Sequence, residues 1–210
     1  AQVTAGGEKH TLEQPFMVLA TQNPIEQEGT YPLPEAQLDR FQFMVRVDYP
    51  GDAEERQILE RTTVEQSVEI EKVVTGEEIL EFQATVRRVP IAPDVMDYAI
   101  RLVRATRTRG GHSPPEFVAQ SVSWGAGPRA GQFMVLGGKA RALLHGNRHV
   151  SIEDIQAMAL PVLRHRIVTN FAAEAEGVDS DEIIRRLLDT VPTHPSDRLD
   201  DDKLPSVVGS

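Results

Sequence analysis

The sequence predicts an α/β segment over residues 1–50 followed by an all-α helical bundle. Three observations predict it. A continuous apolar run, Phe16-Met17-Val18-Leu19-Ala20-Thr21, lies near the start; from residue 52 to about 190 apolar residues recur at three- and four-residue spacing; and capping residues, prolines and glycines punctuate those stripes.

In chain order, Val3-Thr4 and Thr11-Leu12 flank Gly6-Gly7, and a glycine pair between two such segments predicts a hairpin. The run at 16–21 does not alternate, which suits a strand covered on both faces, as in a parallel sheet between helices. A second strand is expected at Phe41-Gln42-Phe43-Met44-Val45-Arg46-Val47, and Pro50-Gly51 breaks the chain after it. A strand buried on both faces needs neighbours. Residues 1–50 do not supply enough of them, so the rest of the sheet is expected to be encoded ahead of Ala1.

The bundle is read from its caps and stripes. Asp52 is the expected cap of a helix carrying Ile58 and Leu59. Thr75 and Glu78 form a capping box, in which a hydroxyl and a carboxylate three apart satisfy free amides of the first turn. Ile79, Phe82 and Val86 follow at helical spacing, and Pro90 and Pro93 close that segment. Val95, Met96, Ala99, Leu102 and Val103 mark the next helix, stopped by Gly110-Gly111. Phe133, Leu136, Ala140, Leu143 and Leu144 form another stripe. Ser151 with Asp154 is a second capping box, opening a helix that Pro161 should kink or restart. Ser180 is the expected cap of a last helix bearing Ile183, Ile184, Leu187 and Leu188. These stripes read as bundle core. From His194 onward the chain is polar, with Asp200-Asp201-Asp202, and residues 194–210 read as a disordered acidic tail. The expected organisation is thus 1–50, 51–193 and 194–210.

Charge and composition exclude several function classes. With 22 Lys and Arg against 32 Asp and Glu, the formal net charge is −10. Such a surface repels phosphate backbones, which disfavours broad nucleic-acid binding and, with it, a DNA-translocating role. The absence of cysteine removes disulfides and thiolate metal sites and fits a reducing cytoplasm. No apolar run approaches the roughly 18 residues that read as a membrane span. The histidines (His10, His112, His145, His149, His165 and His194) form no HExxH pair, and no metal site is expected from them.

Two segments carry candidate chemistry. Ala20-Thr21-Gln22-Asn23-Pro24 puts an amide at the carboxyl end of the apolar run, where ligands sit in open α/β sheets. Asn23 could donate to a phosphate oxygen and accept from a water; an Asn-Pro turn is the alternative. In Gly29-Thr30-Tyr31-Pro32-Leu33-Pro34-Glu35-Ala36-Gln37-Leu38-Asp39-Arg40-Phe41, prolines and a glycine hold a loop that presents Arg40. Its guanidinium can make two parallel bonds to phosphate, or pair with a nearby carboxylate. Arg101, Arg104, Arg107 and Arg109 lie roughly along one helical face, read as solvated or ion-paired. Arg164-His165-Arg166 falls near a helix end, where positive charge suits the dipole.

The stretch PFMVLATQNPIEQEGTYPLPEAQLDRF, residues 15–41, resembles the signature of the MoxR group of AAA+ ATPases. Trp124-Gly125-Ala126-Gly127-Pro128-Arg129-Ala130 resembles that family's GxSPRA motif, with Gly127 where Ser is usual. Ala140-Arg141-Ala142 and Pro161-Val162-Leu163-Arg164-His165-Arg166-Ile167 are similar to its lid helices. The resemblance spans residues 2–190. It implies the C-terminal remnant of an AAA+ P-loop α/β core followed by a helical lid. It further implies Asn23 as sensor 1, Arg40 as the arginine finger reaching a neighbouring subunit's nucleotide, and Arg129 as sensor 2.

The family's function would be ATP-driven, chaperone-like remodelling or maturation of partner proteins by a ring, expected to be hexameric, with von Willebrand factor A-domain partners. One departure is large. No GxxxxGK[ST] occurs, and no apolar run ending in Asp-Glu precedes the sensor 1 segment. Gly137-Gly138-Lys139-Ala140 lacks the spacing and reads as a close helix-packing point. ATP and Mg²⁺ are therefore expected cofactors of a longer protein, and this chain alone is expected to be inactive. The alternative is a degenerate binding module that docks on a complete AAA+ partner.

Overall fold

The computed structural model describes residues 2–22, 33–65, 70–110 and 113–194. Asn23 and most of the acidic tail lie outside the described residues. The chain forms two compact units, residues 1–22 with 45–85, and residues 23–44 with 86–210.

The first unit holds a hairpin and two helices. Strands β1 (Gln2–Ala5) and β2 (Glu8–Thr11) pair antiparallel, with Ala5 opposite Glu8. Gly6 and Gly7 both take positive φ, 59° and 85°, the geometry that a two-residue turn needs to match the strand twist. Helix α2 (Asp52–Thr62) starts one residue earlier than expected. Gly51 is its cap, and Glu54 reaches back to accept the Gly51 amide at 3.0 Å. Helix α3 (Gly76–Arg88), which the two units share, opens with the predicted box. The Thr75 amide donates to Glu78 at 2.7 Å, and the Glu78 amide to the Thr75 hydroxyl at 3.2 Å. The run at 16–21 is not a strand here. It has no sheet partner among the described residues, and Leu19 is 86% exposed. A central strand is defined by the ladders on its two sides, and without them this apolar segment stays open.

The second unit is helical. Its elements are α1 (Glu35–Leu38), α4 (Pro93–Ala105), α5 (Glu116–Ser121), α6 (Pro128–Leu144), α7 (Ile152–Leu163), α8 (Phe171–Ala175) and α9 (Ser180–Thr190). Strands β3 (Val122–Trp124) and β4 (Val168–Thr169) form a short antiparallel pair. The core joins Tyr98 and Leu102 of α4, Met134 of α6, Ile155 and Leu163 of α7, and Ile183, Ile184 and Leu187 of α9, all fully buried. No described helix is long and apolar enough to cross a membrane.

Several local expectations need correction. The strand expected at 41–47 is irregular, because the Met44 amide bonds to the Pro161 carbonyl at 2.8 Å instead of to a strand. Pro161 does not restart α7. It lies in the last turn, where it removes the amide that would bond the Ala157 carbonyl, and the helix still runs on to Leu163. The cap of α9 is Asp179, whose carboxylate accepts the Glu182 amide at 2.8 Å, not Ser180.

The stripe on α6 is rotated from the expected one. Ala130, Met134, Gly137, Gly138 and Ala142 face the core, and Leu144 is 86% exposed. Small residues rather than large ones line that face because α7 lies close. A methyl at Gly137 would meet Met158 Sδ at 2.6 Å and Phe43 Cζ at 3.1 Å, which supports the close-packing reading of the glycine pair. Ser151 and Asp154 form the second predicted box. Asp154 also takes an ion pair from Arg141 at 2.5 Å while fully buried, so one carboxylate both caps α7 and ties it to α6.

Candidate functional site

The corner around Arg129 is built by a close backbone approach. A methyl on Gly125 would lie 2.1 Å from the Thr106 carbonyl oxygen, so only glycine lets this loop lie against the end of α4. The buried Thr106 hydroxyl accepts the Ala126 amide at 2.9 Å and donates to the Val103 carbonyl at 2.7 Å. Arg107 donates to the Ala126 carbonyl at 2.9 Å. The pinned loop leads into Gly127, the cap of α6, then Pro128 at the first helical position and Arg129 at the second. A cation in the first turn opposes the helix dipole and favours a nearby anion.

That anion is Asp39. The single turn of α1 ends at Asp39, and Arg40 and Phe41 continue the turn through amide bonds to Gln37 and Leu38 at 3.1 and 3.0 Å. Residues 39–44 are then held by the triplet after α7. Arg166 is 1% exposed and uses every donor of its guanidinium. Nε donates to Asp39 Oδ1 at 2.9 Å. Nη2 donates to the carbonyls of Asp39 at 2.7 Å and Phe41 at 2.6 Å. Nη1 donates to Gln42 at 3.4 Å and to the Val162 carbonyl. Its plane also lies over the Phe133 ring, 5.1 Å from the centroid. Arg164 donates to the Met44 carbonyl at 3.4 Å and pairs with Asp181 at 3.1 Å.

Asp39 Oδ2 accepts from Arg129 Nη1, so one carboxylate receives two guanidinium groups, each on its own oxygen. Burial raises the Asp39 pKa, but hydrogen bonds from Arg166 and Arg129 outweigh it and hold the group below its ordinary value. Burial lowers the Arg166 pKa, and Asp39 opposes that shift. His165 is pushed down to about 4 by burial and then by the Arg166 charge. Its Nε2 is 3.2 Å from the Phe41 carbonyl, so the neutral ring donates there, and its buried Nδ1 has no partner among the described residues.

The structure brings some of the expected residues together. Arg129, 45% exposed, meets Asp39, the neighbour of Arg40. The Arg40 side chain is exposed and has no ion pair among the described residues, so the carboxylate-paired alternative for it does not hold there. The arginine run does not share one helical face, because α4 ends at Ala105 and leaves Arg107 and Arg109 beyond it. Arg101 donates to the carbonyls of Pro192 and Thr193, while Arg104 and Arg107 edge a groove of about 890 Å³ between α4 and α6. Sequence reasoning missed Asp39 and gave Arg166 only a helix-end role. The available signal was an isolated basic triplet after a proline, far in sequence from the acidic side chain it serves.

Residues 1–43 match the ATPase family associated with various cellular activities (AAA), and residues 115–187 match the AAA lid domain. The chain is 37% identical over 194 residues to the chaperone MoxR1 of Mycobacterium tuberculosis, covering 90% of this chain and 50% of that protein. The chain belongs to the MoxR family of AAA+ proteins.

It is 36% identical over 190 residues to the uncharacterized protein YeaC of Bacillus subtilis, covering 90% of this chain and 56% of that one. A crystal structure of a protein described as a candidate ATPase from Cytophaga hutchinsonii matches with a TM-score of 0.82 at 38% identity, covering 91% of this chain and 58% of that one. This MoxR-family chain thus spans about half the length of the curated relatives it matches. Asp39 falls within the AAA match, and Arg129 and Arg166 within the lid match, so both ion pairs of Asp39 join AAA residues to lid residues.

Proposed function

We propose that this chain is the sensor and lid portion of a MoxR-type ATPase that couples ATP binding and hydrolysis to chaperone-like maturation of partner proteins. The observation that carries the reading is the placement of Arg129 on the second residue of α6, beside the Asp39-Arg40 turn of the AAA segment. In this reading Arg129 contacts the nucleotide of its own subunit, Arg40 reaches the nucleotide of the next, and Asn23 orients the attacking water. Each role is electrostatic or positional, which is what phosphoryl transfer asks of a protein.

Arg40, exposed and without an ion pair among the described residues, fits a group that awaits phosphate from outside its own chain, and Arg129 fits a phosphate contact on the lid. In this reading the residues that hold Mg²⁺ belong to the longer protein, because no apolar run ending in Asp-Glu precedes the sensor 1 segment in this sequence. The cofactor contributes the transferable phosphoryl group; this chain contributes its orientation and charge stabilisation. A finger supplied by a neighbour makes turnover depend on assembly, in keeping with a ring, of which a hexamer is our working form. The same reading carries a cytoplasmic location, a von Willebrand factor A-domain partner, inactivity of the 210 residues alone, and the division at residues 50 and 193 with a trailing acidic tail.

The test is Arg40→Ala in a chain extended to the length of its relatives. Turnover should fall by about 10³-fold or more while ATP binding persists. Unchanged turnover in the assembled protein would show that the finger is another residue.

A further inference from the structure

Arg129 and Arg166 share Asp39 on unequal terms. Arg166 is buried, and all of its donors are engaged by the Asp39 carboxylate and by carbonyls of Asp39, Phe41, Gln42 and Val162. It cannot leave without stranding those acceptors and its own charge. Arg129 is 45% exposed and makes a single ion pair through one nitrogen. Surface pairs of that kind exchange readily with solvent or with a stronger anion. The carboxylate is therefore a fixed element and Arg129 a removable one. Its two oxygens are used separately, Oδ1 for Arg166 and Oδ2 for Arg129.

We infer that Asp39 is a positioning residue that acts as the resting counter-ion of Arg129, and that nucleotide phosphate binds the lid by displacing it. The inference rests on the reading of Arg129 as a nucleotide contact. Its consequence is competition. With the site empty, Asp39 holds Arg129 in place of phosphate and weakens nucleotide binding by the strength of that pair. When phosphate takes Arg129, Asp39 keeps only Arg166, and the turn that carries Arg40 loses its direct tie to the start of α6. The same carboxylate thus reports nucleotide occupancy at the lid to the residue that serves the neighbouring subunit.

Asp39→Asn separates the two bonds. The amide oxygen can still accept from Arg166 Nε, while the amide nitrogen offers Arg129 no acceptor. In a chain extended to the length of its relatives, ATP affinity would be measured for the wild type, Asp39→Asn, Arg129→Ala and the double variant. The expected result is ATP binding about two- to fivefold tighter in Asp39→Asn, weaker in Arg129→Ala, and equal in Arg129→Ala and the double variant, because the competitor matters only while Arg129 is present. A purely structural Asp39 would not give tighter binding that disappears with Arg129. If thermal melting shows that Asp39→Asn does not fold, Asp39→Ser, which removes the charge that Arg129 pairs with, replaces it in the same cycle. ATP binding that is unchanged or weaker in the folded Asp39 variant, with Arg129→Ala still weakening it, overturns the inference alone. ATP binding unaffected by Arg129→Ala overturns the reading beneath it and the inference together.

Discussion

Helices α2 and α3 are as well started as α7 and α9, yet they end in different environments. Glu54 and Glu78 reach back to the amides of Gly51 and Thr75 just as Asp154 reaches back to Ser151. In α2 the apolar pair Ile58 and Leu59 is 47% and 58% exposed, and no residue of α2 or α3 is buried. In α7 and α9 the corresponding stripes are fully buried at Ile155, Ile183, Ile184 and Leu187. The difference teaches that caps and turns are decided locally, whereas burial requires a surface to pack on. Helix formation and core formation are separate consequences of one sequence.

The largest effect should come from the staple that joins the AAA segment to the lid. Arg166→Ala leaves Asp39 Oδ1 and several carbonyls without their donor, and should destabilise the chain by about 3–5 kcal/mol in urea unfolding. Arg166→Lys should recover only part of that loss, because an ammonium cannot reproduce the planar fork. Full recovery by lysine would mean that charge alone, not the five-donor geometry, holds residues 39–44.

A paired truncation tests the contrast between the helices directly. Ile184→Ala in α9 should cost about 2–4 kcal/mol, as expected for a buried site that leaves a cavity. Ile58→Ala in α2 should cost less than about 0.5 kcal/mol, as at an exposed site. Equal costs in this chain would erase the distinction.

How much of this could be read from the sequence follows the same line. The Gly6-Gly7 hairpin, both capping boxes and the close packing at Gly137-Gly138 were legible because each is written in neighbouring residues. The α6 stripe differs from the expected one because its buried face is glycine and alanine around the single large residue Met134, and a search for large apolar residues passes over such a face. The short helices α5 and α8 carry too few residues to show a period. At the site, Arg129 and Arg40 lie in recognisable motifs. Asp39 and Arg166 lie in such stretches too, but their partnership spans 127 residues of sequence and exists only in the fold.

A smaller effect belongs to His165. Its folded pKa, about 4, lies below the ordinary 6.5, so as pH falls the unfolded chain takes up the proton first. Its contribution to stability is complete above about pH 6.5 and is lost between 6.5 and 4. With solvent screening on its open side, that loss is on the order of 1–2 kcal/mol. His165→Gln keeps a donor for the Phe41 carbonyl and should flatten the unfolding free energy across that window; an unchanged slope would assign the pH dependence to other groups. Asp39 and Asp154, both held below their ordinary values, add their losses only at lower pH, as it falls through their folded values. The smallest effect is expected at Gly127. This cap has an extended backbone and nothing within 4 Å of an added Cβ, so Gly127→Ser should stabilise the lid by a few tenths of a kcal/mol in thermal melts.

The central claim is that Asn23 and Arg40 serve one triphosphate from opposite sides of a subunit boundary. Full-length chains carrying Asn23→Ala and chains carrying Arg40→Ala, each inactive alone, would be mixed before assembly and assayed for ATP turnover. Recovered turnover is predicted, because a boundary between an intact Asn23 and a neighbour's intact Arg40 restores a complete site. Mixtures as inactive as either variant, in rings demonstrated to contain both, would contradict it.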